Sequence, residues 1–310
     1  MDRTGSPPQN PPPQVEGAVA VRPTRSRKPV DMEAVIQDFT WETHDSVTLV
    51  LSVDGPIEYQ AGQFLNIDPR QFGQLAQLIA YLEHLKGKKE LVRAYSLCSA
   101  PHEPYVAITF KEERFVPGET RYPPLLTPLL ARGLSRGSRL RIHGFTGAYV
   151  LPEDAEAQVD HILHVVAGSG VVPSFSLLKD SLHRGRSLKH TFVYSNKTWK
   201  DVYYRSQLEA LERAHPDKLR LIHTLTREED LSRFGPNVRR GRVTPEFLRE
   251  LVPDPSRCLA YVCGPAINSW DRKAALETGI AAKPRFLEMV ISYLHDLGFA
   301  RHQIKRESWG

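Results

Sequence analysis

Hydrophobic and polar residues alternate in short runs over roughly the first half of the chain. Each run is bounded by Gly, Pro or Asp, a pattern typical of short β-strands joined by turns. The pattern predicts a small antiparallel β-barrel within residues 31–154. The predicted strands are Val47–Val53, Gln63–Ile67, Arg93–Cys98, Tyr105–Lys111 and Arg139–His143.

Apolar residues at helical spacing interrupt this pattern within an insertion at 70–90. They predict an amphipathic helix over 72–86. Thr127-Pro128 predicts a further helix over Leu129–Leu134, because threonine is a good N-cap and proline suits the first helical position. The apolar positions of the first helix are Phe72, Leu75, Leu78, Ile79, Leu82 and Leu85.

Strands and helices alternate from about residue 155 to the end of the sequence. This alternation predicts a doubly wound parallel sheet over 155–310, with 266–283 as a long loop. The predicted strands are His161–Ala167, His190–Ser195, Leu219–Leu225, Cys258–Cys263 and Gln303–Ser308. The predicted helices are Ser174–His183, Asp201–Ala214, Pro245–Leu251 and Pro284–Leu297.

The composition agrees with two globular domains, since 41% of the 310 residues are hydrophobic and 25% are charged. Residues 1–30 differ from the rest, because they hold seven prolines, five basic residues and two acidic ones. We expect a disordered basic tail there. Much of the net charge of +5 lies in this tail, which argues against a nucleic-acid-binding domain.

The three cysteines, Cys98, Cys258 and Cys263, are isolated in the sequence. They are too few for a disulfide scaffold and fewer than the four ligands of a cysteine-bound iron–sulfur cluster. No stretch approaches the ~18 apolar residues of a membrane span. We therefore expect a reduced, cytoplasmic monomer with no bound metal and no membrane span.

The first candidate motif is Arg93-Ala-Tyr95-Ser96 in a predicted strand. Strand geometry places Arg93 and Tyr95 on one face and Ser96 on the other. This offers a cation for a phosphate, an aromatic plate for a planar ring and a small hydroxyl. Taken alone, the tetrapeptide equally describes a surface arginine beside a core tyrosine.

A glycine-rich turn, Gly168-Ser-Gly170-Val-Val-Pro173, follows a predicted strand and precedes a helix. Glycines let the backbone approach a pyrophosphate, and a helix N-terminus supplies unpaired N–H groups. Because Pro173 stands where the dinucleotide fingerprint has its third glycine, the turn is not that fingerprint. A phosphate site and a plain structural turn both fit it.

Further candidates leave the carboxyl ends of predicted strands, where parallel sheets collect their ligands. Cys263-Gly264-Pro265 gives an abrupt turn with backbone open to a ring. Thr226-Arg227 could hold a phosphate monoester, helped by Ser195 and Lys197. Each of these alone is also compatible with ordinary core or loop residues.

The order of seven motifs resembles that of the ferredoxin–NADP(H) reductase superfamily, over residues 31–310. The resemblance implies an antiparallel barrel that binds FAD and a following α/β domain that binds NAD(P)H. The motifs are Gly62-Gln-Phe, Arg93-Ala-Tyr-Ser, Thr127-Pro-Leu-Leu, Gly144-Phe-Thr-Gly147, Gly168-Ser-Gly-Val-Val-Pro, Thr226-Arg227 and Cys263-Gly-Pro.

The resemblance implies roles on the FAD side. Tyr95 would stack on the isoalloxazine ring, and Ser96 would hydrogen-bond near flavin N5. Arg93 would pair with the FAD pyrophosphate, and so would the helix N-terminus that begins at Thr127. The terminal run Glu307-Ser-Trp309 would close over the flavin.

The same resemblance implies roles on the nicotinamide side. The turn Gly168–Pro173 would cradle the dinucleotide pyrophosphate, and Cys263-Gly-Pro would sit by the nicotinamide. Thr226-Arg227, with Ser195 and Lys197, would select the 2′-phosphate of NADPH over NADH.

The function implied is a flavoprotein reductase that passes electrons from NADPH through FAD to a separate one-electron carrier, a ferredoxin, which could serve an oxygenase. Two alternatives stay open. A reductase of small acceptors (flavin, ferric chelate or quinone) would be indifferent to ferredoxin. A non-catalytic flavin-binding redox sensor would have no need of a nicotinamide site.

Overall fold

The computed structural model describes residues 30–54, 57–118 and 120–309, without the side chain of Trp309. The tail predicted at the N-terminus therefore lies outside the described residues, apart from Val30. The predicted role of the Trp309 side chain lies outside them as well.

Six antiparallel strands form the first sheet, in the order β4-β3-β6-β1-β2-β5. A bridge between Leu97 and Ile108 joins the two edge strands and nearly closes the barrel. The predicted antiparallel barrel is thus confirmed. Its strands are β1 (Val30–Trp41), β2 (Ser46–Val53), β3 (Phe64–Ile67), β4 (Arg93–Ser96), β5 (Val106–Lys111) and β6 (Arg139–Thr146).

Strand β1 has no counterpart among the predicted strands. It pairs with both β2 and β6, and its register with β2 shifts between Ile36 and Asp38. Such a bulge breaks the alternation of buried and exposed residues on which strand prediction depends.

The helix predicted in the insertion is present as α1 (Ala76–Lys86). Two 3₁₀ turns precede it, and it ends at Gly87, whose φ of 64° suits glycine. Ile79 and Leu82 pack into the barrel core. The helix predicted after Thr127 is a single π-helical turn, Leu129–Gly133.

Six parallel strands form the second sheet, in the order β10-β9-β8-β7-β11-β12. Helices cover both faces, so the predicted doubly wound sheet is confirmed. The strands are β7 (His161–Ala167), β8 (Lys189–Asn196), β9 (Leu219–Leu225), β10 (Val238–Arg240), β11 (Cys258–Pro265) and β12 (Ile304–Trp309). The helices after α1 are α2 (Ala155–Gln158), α3 (Val171–His183), α4 (Arg205–Ala214), α5 (Pro245–Leu251), α6 (Ser269–Thr278) and α7 (Phe286–Asp296).

The prediction of a loop over 266–283 is wrong, because this segment contains α6. The Asn268 side chain caps the helix by accepting from the N–H groups of Trp270 and Asp271. None of its residues is buried, so the helix lacks the hydrophobic period that would have revealed it.

Helix α4 begins four residues later than predicted. Thr198 and Asp201 form a capping box around a 3₁₀ turn, and Tyr204 adopts a left-handed φ of 54°. That residue separates the turn from the helix.

Hydroxyl groups join the barrel to the parallel sheet. Ser46 on β2 donates to the Tyr203 hydroxyl at 2.6 Å, and Ser176 on α3 donates to the carbonyl of Ser99 at 2.5 Å. These contacts bring β4 of the barrel close to the carboxyl edge of the second sheet. None of the helices in the described ranges is long and apolar enough to traverse a bilayer.

Candidate cofactor-binding site

The two sheets meet where Ser96 of β4 faces Glu307 of β12. The Ser96 hydroxyl donates to Glu307 Oε1, across 211 positions of sequence. Ser96 is fully buried. Burial raises the pKa of Glu307 to about 7, although the bond from Ser96 opposes that rise. The site therefore holds a carboxyl that changes protonation near neutral pH.

Cys263 lies beside this pair but inside the core. In the parallel register it is level with Glu307 on one side and Val166 on the other. Its side chain is fully buried. The structure thus brings Cys263 next to the Ser96–Glu307 contact without placing it among the residues that line the open cleft described below.

Two of the predicted glycines, Gly170 and Gly264, are in close contact with other atoms of the protein, so they do not leave space for a ligand. A Cβ on Gly170 would lie 2.2 Å from the Cys263 carbonyl oxygen, and one on Gly264 would lie 2.6 Å from the Phe286 ring. Gly168 differs, because its φ is 53° and a Cβ there would meet open space. Pro173 is buried in the first turn of α3.

An open cleft of about 950 Å³ runs along the carboxyl ends of β7, β8, β9 and β11. A volume of this size suits a dinucleotide. The predicted residues Gly168, Ser195, Lys197, Thr226 and Pro265 line the cleft. Residues of α6, the following loop and α7 form its other wall, among them Ala274, Ala275, Thr278, Lys283, Phe286 and Met289.

Basic side chains outnumber acidic ones in this lining, five to three. Two of the acids are paired, since Asp45 accepts from Lys111 at 2.7 Å and Asp271 accepts from Arg285 at 2.7 Å. The surplus of positive charge suits an anionic ligand.

Arg242 is a cleft residue that the sequence analysis missed. It follows β10, and the N–H of the preceding Gly241 donates to the Leu225 carbonyl. This bond brings Arg242 to the same edge as Thr226, where both line the cleft. The glycine at position 241 indicates a turn before Arg242. The strand before that turn, β10, has only three residues, too few for its hydrophobic pattern to reveal it.

Arg227 is exposed and lies outside the cleft lining. Its N–H donates to the Lys197 carbonyl. The neighbouring Glu228 carboxylate accepts from the Trp199 N–H at 2.8 Å and from Arg233 at 3.3 Å. It is therefore engaged away from the cleft.

On the barrel side, Arg93 is held by Glu90. One Glu90 oxygen accepts from Arg93 and the other from Lys86, each at 2.5 Å. Burial alone would raise the pKa of Glu90, but the bonds from Lys86 and Arg93 outweigh burial and lower it. Glu90 therefore stays ionised and orients the Arg93 guanidinium.

Tyr95 packs edge-on against Phe110, with ring centroids 5.4 Å apart, and is 6% exposed. Burial raises the pKa of its hydroxyl, which keeps the phenol neutral. Thr127 does not cap the turn that follows it, so that prediction is wrong. Its hydroxyl instead accepts from the Glu113 N–H at 3.1 Å.

The polar groups of the site suit both expected cofactors. A guanidinium, a buried hydroxyl and a protonatable carboxyl (Arg93, Ser96 and Glu307) are groups that suit a flavin dinucleotide. The open turn at Gly168 and the basic cleft suit a nicotinamide dinucleotide.

Comparison with known proteins also points to a nicotinamide-binding oxidoreductase. Residues 165–268 match the family model of the oxidoreductase NAD-binding domain. The chain is 26% identical over 259 residues to a component of the 1,2-phenylacetyl-CoA epoxidase of Escherichia coli (strain K12), covering 80% of this chain and 64% of that protein. It is 31% identical over 141 residues to NADH-cytochrome b5 reductase 2 of Homo sapiens, covering 42% of this chain and 49% of that protein.

The chain thus spans less than two thirds of the length of either relative. Among solved structures, the ferredoxin reductase in carbazole 1,9a-dioxygenase superposes with a TM-score of 0.63 at 19% identity, covering 91% of this chain and 70% of that chain. At that identity the likeness concerns the fold. Fold, family model and relatives agree in their similarity to the ferredoxin–NADP(H) reductase superfamily, a group of FAD-dependent NAD(P)H oxidoreductases.

Proposed function

We propose that this protein is a FAD-dependent reductase that takes electrons from NADPH and passes them to a separate one-electron carrier, a ferredoxin. Residues 31–154 would bind FAD, and residues 155–310 would bind the nicotinamide dinucleotide. The observation that carries the proposal is the Ser96–Glu307 contact, which joins the barrel to the sheet edge that holds the cleft.

On the flavin side, Arg93 would hold the pyrophosphate, and Tyr95, Ser96 and Thr127 would lie along the cofactor. FAD, when bound, converts two-electron transfer from NAD(P)H into one-electron steps. Ser96 donates to Glu307, and the raised pKa lets Glu307 take up or release a proton near pH 7. Such a group can hold a proton beside the flavin without a large energetic cost.

On the nicotinamide side, the turn at Gly168 would receive the pyrophosphate. Lys197, Thr226 and Arg242 supply a cationic, hydroxyl-bearing end of the cleft that suits the additional phosphate of NADPH. NADH has no group there to use these cations, which is the reason for proposing NADPH.

The acceptor is proposed from chemistry and charge. The E. coli relative is part of an epoxidase, and the human relative is a cytochrome b5 reductase. The name of the human relative indicates that it reduces another protein, cytochrome b5. A net charge of +5 favours encounter with an acidic carrier such as a ferredoxin.

Stopped-flow spectroscopy tests the proposal. The protein, loaded with FAD, is mixed anaerobically with NADPH or NADH and then with ferredoxin. We expect the yellow colour to bleach faster with NADPH and to return on addition of ferredoxin. Bleaching without reoxidation by ferredoxin would favour the small-acceptor reductase, and no bleaching at all would favour the sensor. A protein that binds no FAD would overturn the assignment.

A further inference from the structure

Residues 68–92, which we call the β3–β4 connection, link two strands that a short turn could join. Ile67 at the end of β3 pairs directly with Arg93 at the start of β4. Antiparallel strands that pair in this way need a loop of only about two to five residues. The longer connection forms two 3₁₀ turns and α1. Its length is therefore available for a role other than joining the strands.

The β3–β4 connection is fixed to the barrel at its start and in its middle. The Gln71 side chain donates to the Arg141 carbonyl at 2.9 Å and accepts from the Arg141 N–H at 2.6 Å. Ile79 and Leu82 of α1 pack into the barrel core. These contacts make the connection a firm support for the residues at its end.

The end of the β3–β4 connection holds the Arg93 guanidinium at two points. Its Nη2 group donates to the Glu90 carboxylate at 2.5 Å, and its Nη1 group donates to the Leu91 carbonyl at 2.6 Å. Two bonds from different nitrogens fix the plane of a guanidinium. Because a guanidinium has more N–H groups than these two bonds use, donors remain for a ligand.

Glu90 is itself held in place by the connection. It is 5% exposed, and its N–H donates to the Glu83 carboxylate at 2.8 Å. The same Glu83 oxygen accepts from Arg70 at 2.8 Å. The Glu90 oxygen that does not bind Arg93 accepts from Lys86 at 2.5 Å. The Glu90 carboxylate therefore has one defined position.

The charges around Glu90 leave Arg93 able to attract an anion. Lys86, Glu90 and Arg93 together carry two positive charges and one negative charge. Because Lys86 offsets the charge of Glu90, the carboxylate can orient Arg93 without cancelling its attraction for a phosphate.

We propose that Glu90 is a positioning residue for the cofactor: it fixes the Arg93 guanidinium in the orientation that meets the FAD pyrophosphate. Glu90 acts through Arg93 and makes no contact with the cofactor itself. An arginine that is fixed beforehand loses less side-chain entropy when it binds a phosphate. The inference rests on the proposed function, since it takes Arg93 as the residue that pairs with the pyrophosphate.

A double-mutant cycle on FAD binding to the flavin-free full chain tests the inference. We expect Glu90→Gln, which keeps the shape of the side chain and removes its charge, to weaken FAD binding about tenfold. In the Arg93→Gln background the same change should alter the affinity by less than about twofold, because a residue that acts through Arg93 has no effect without it. Quenching of flavin fluorescence during titration measures each affinity.

Glu83→Ala is a second variant, since it removes the acceptor of the Glu90 N–H. It should also weaken FAD binding, and this loss should disappear in the Arg93→Gln background. Gln77→Ala is the matched control, because Gln77 is exposed on the same helix as Glu83. It should leave the affinity for FAD unchanged.

An equal loss of FAD binding in both backgrounds would give Glu90 a merely structural role and overturn the inference. Unchanged or tighter FAD binding in Glu90→Gln would overturn it as well. Failure of the proposed function is a distinct outcome. If Arg93→Gln alone left FAD binding unchanged, the role of Arg93 would be wrong, and if the unaltered chain bound no FAD, so would the flavoprotein assignment itself.

Discussion

Glu307 is a carboxyl that has lost most of its contact with water. Burial raises its pKa to about 7, and the hydrogen bond from Ser96 works in the opposite direction. That bond stabilises the ionised carboxylate, because a hydroxyl donates more strongly to a charged oxygen than to a neutral acid. Ser96 therefore lowers the pH at which Glu307 changes its charge.

Ser96→Ala removes this stabilisation, so the pKa of Glu307 should rise further, by about one unit. We expect the pH profile of flavin reduction by NADPH to move upward by the same amount. The measurement is a series of stopped-flow reductions between about pH 6 and pH 9. Ser206→Ala, at an exposed position on α4, is the control and should leave the profile in place. An unchanged profile in Ser96→Ala would remove Glu307 from proton handling.

Arg242 and Arg227 offer a matched pair for testing cofactor selection. Arg242 lines the cleft, and Arg227 lies outside it. Arg242→Ala should raise the KM for NADPH about 10- to 100-fold, the effect of losing one charge-assisted bond, and barely change that for NADH. Arg227→Ala should have the smaller effect. Equal increases for both cofactors would contradict phosphate recognition, and a larger effect of Arg227→Ala would return that role to Arg227.

Among the elements, those that bury hydrophobic side chains in an unbroken pattern were predictable from sequence. Strand β9 and helix α5 have the bounds that the pattern predicts, and Thr244 caps α5 by accepting from the Phe247 N–H. Helix α6 was missed because it buries no residue, and β1 because a bulge interrupts its period. A hydrophobic pattern records which side chains are buried, so an element that buries none, or whose alternation is interrupted, is not revealed by it.

The sequence predicted which residues belong to the candidate site, but it did not predict the contacts between them. The motifs indicated Ser96 and Glu307 separately, but no spacing rule predicts a bond across 211 positions. Gly170 was predicted as a phosphate-binding glycine, yet its lack of a Cβ is needed by the Cys263 carbonyl. Both facts depend on tertiary packing between distant strands.

Strands β7 and β8 carry a buried pair of histidines that affects stability. His164 and His190 share a hydrogen bond of 3.0 Å, and His190 bonds the Ser181 hydroxyl at 2.8 Å. Burial lowers the pKa of both rings, that of His190 to about 3. The unfolded chain binds a proton at each ring below about pH 6.5, whereas the folded chain does not. Stability should therefore fall as pH falls from 6.5 toward 3.

The expected slope is about 1.4 kcal/mol per pH unit for each histidine. His190→Asn removes one of the two groups, so it should reduce the slope of the unfolding free energy against pH by about 1.4 kcal/mol per pH unit. Urea unfolding at several values between about pH 5 and pH 7.5 measures it. His84→Gln, at an exposed position of α1, should not reduce the slope. A slope that His190→Asn leaves unchanged would show that the pair does not govern acid stability.

At the scale of the whole molecule, hydroxyl contacts hold the barrel against the parallel sheet. Tyr203 accepts from Ser46, Tyr204 donates to Thr109, and Ser176 donates to the Ser99 carbonyl. Directional bonds of this kind fix the relative position of two units. The contact between Ser96 and Glu307 depends on that position.

The distribution of charge predicts how the molecule would meet the proposed carrier. The first 29 residues hold five basic and two acidic side chains, within a net charge of +5. Removing them should slow the reduction of an acidic ferredoxin at low salt by roughly two- to tenfold. The rate difference should vanish at about 0.5 M salt, where charges are screened. Reduction of a neutral quinone is the control, and an equal loss with the quinone would contradict the electrostatic explanation.

Helix α6 lines the open cleft and, through Trp270, contacts Tyr122 of the barrel, so it links the two domains that would bind the two cofactors. If a dinucleotide in the cleft holds α6 in place, it tightens FAD binding by some factor, and FAD must tighten dinucleotide binding by the same factor. The flavin content of the protein would then follow the nucleotide concentration around it. In a cell poor in NADPH, the enzyme would give up its prosthetic group as well as its substrate.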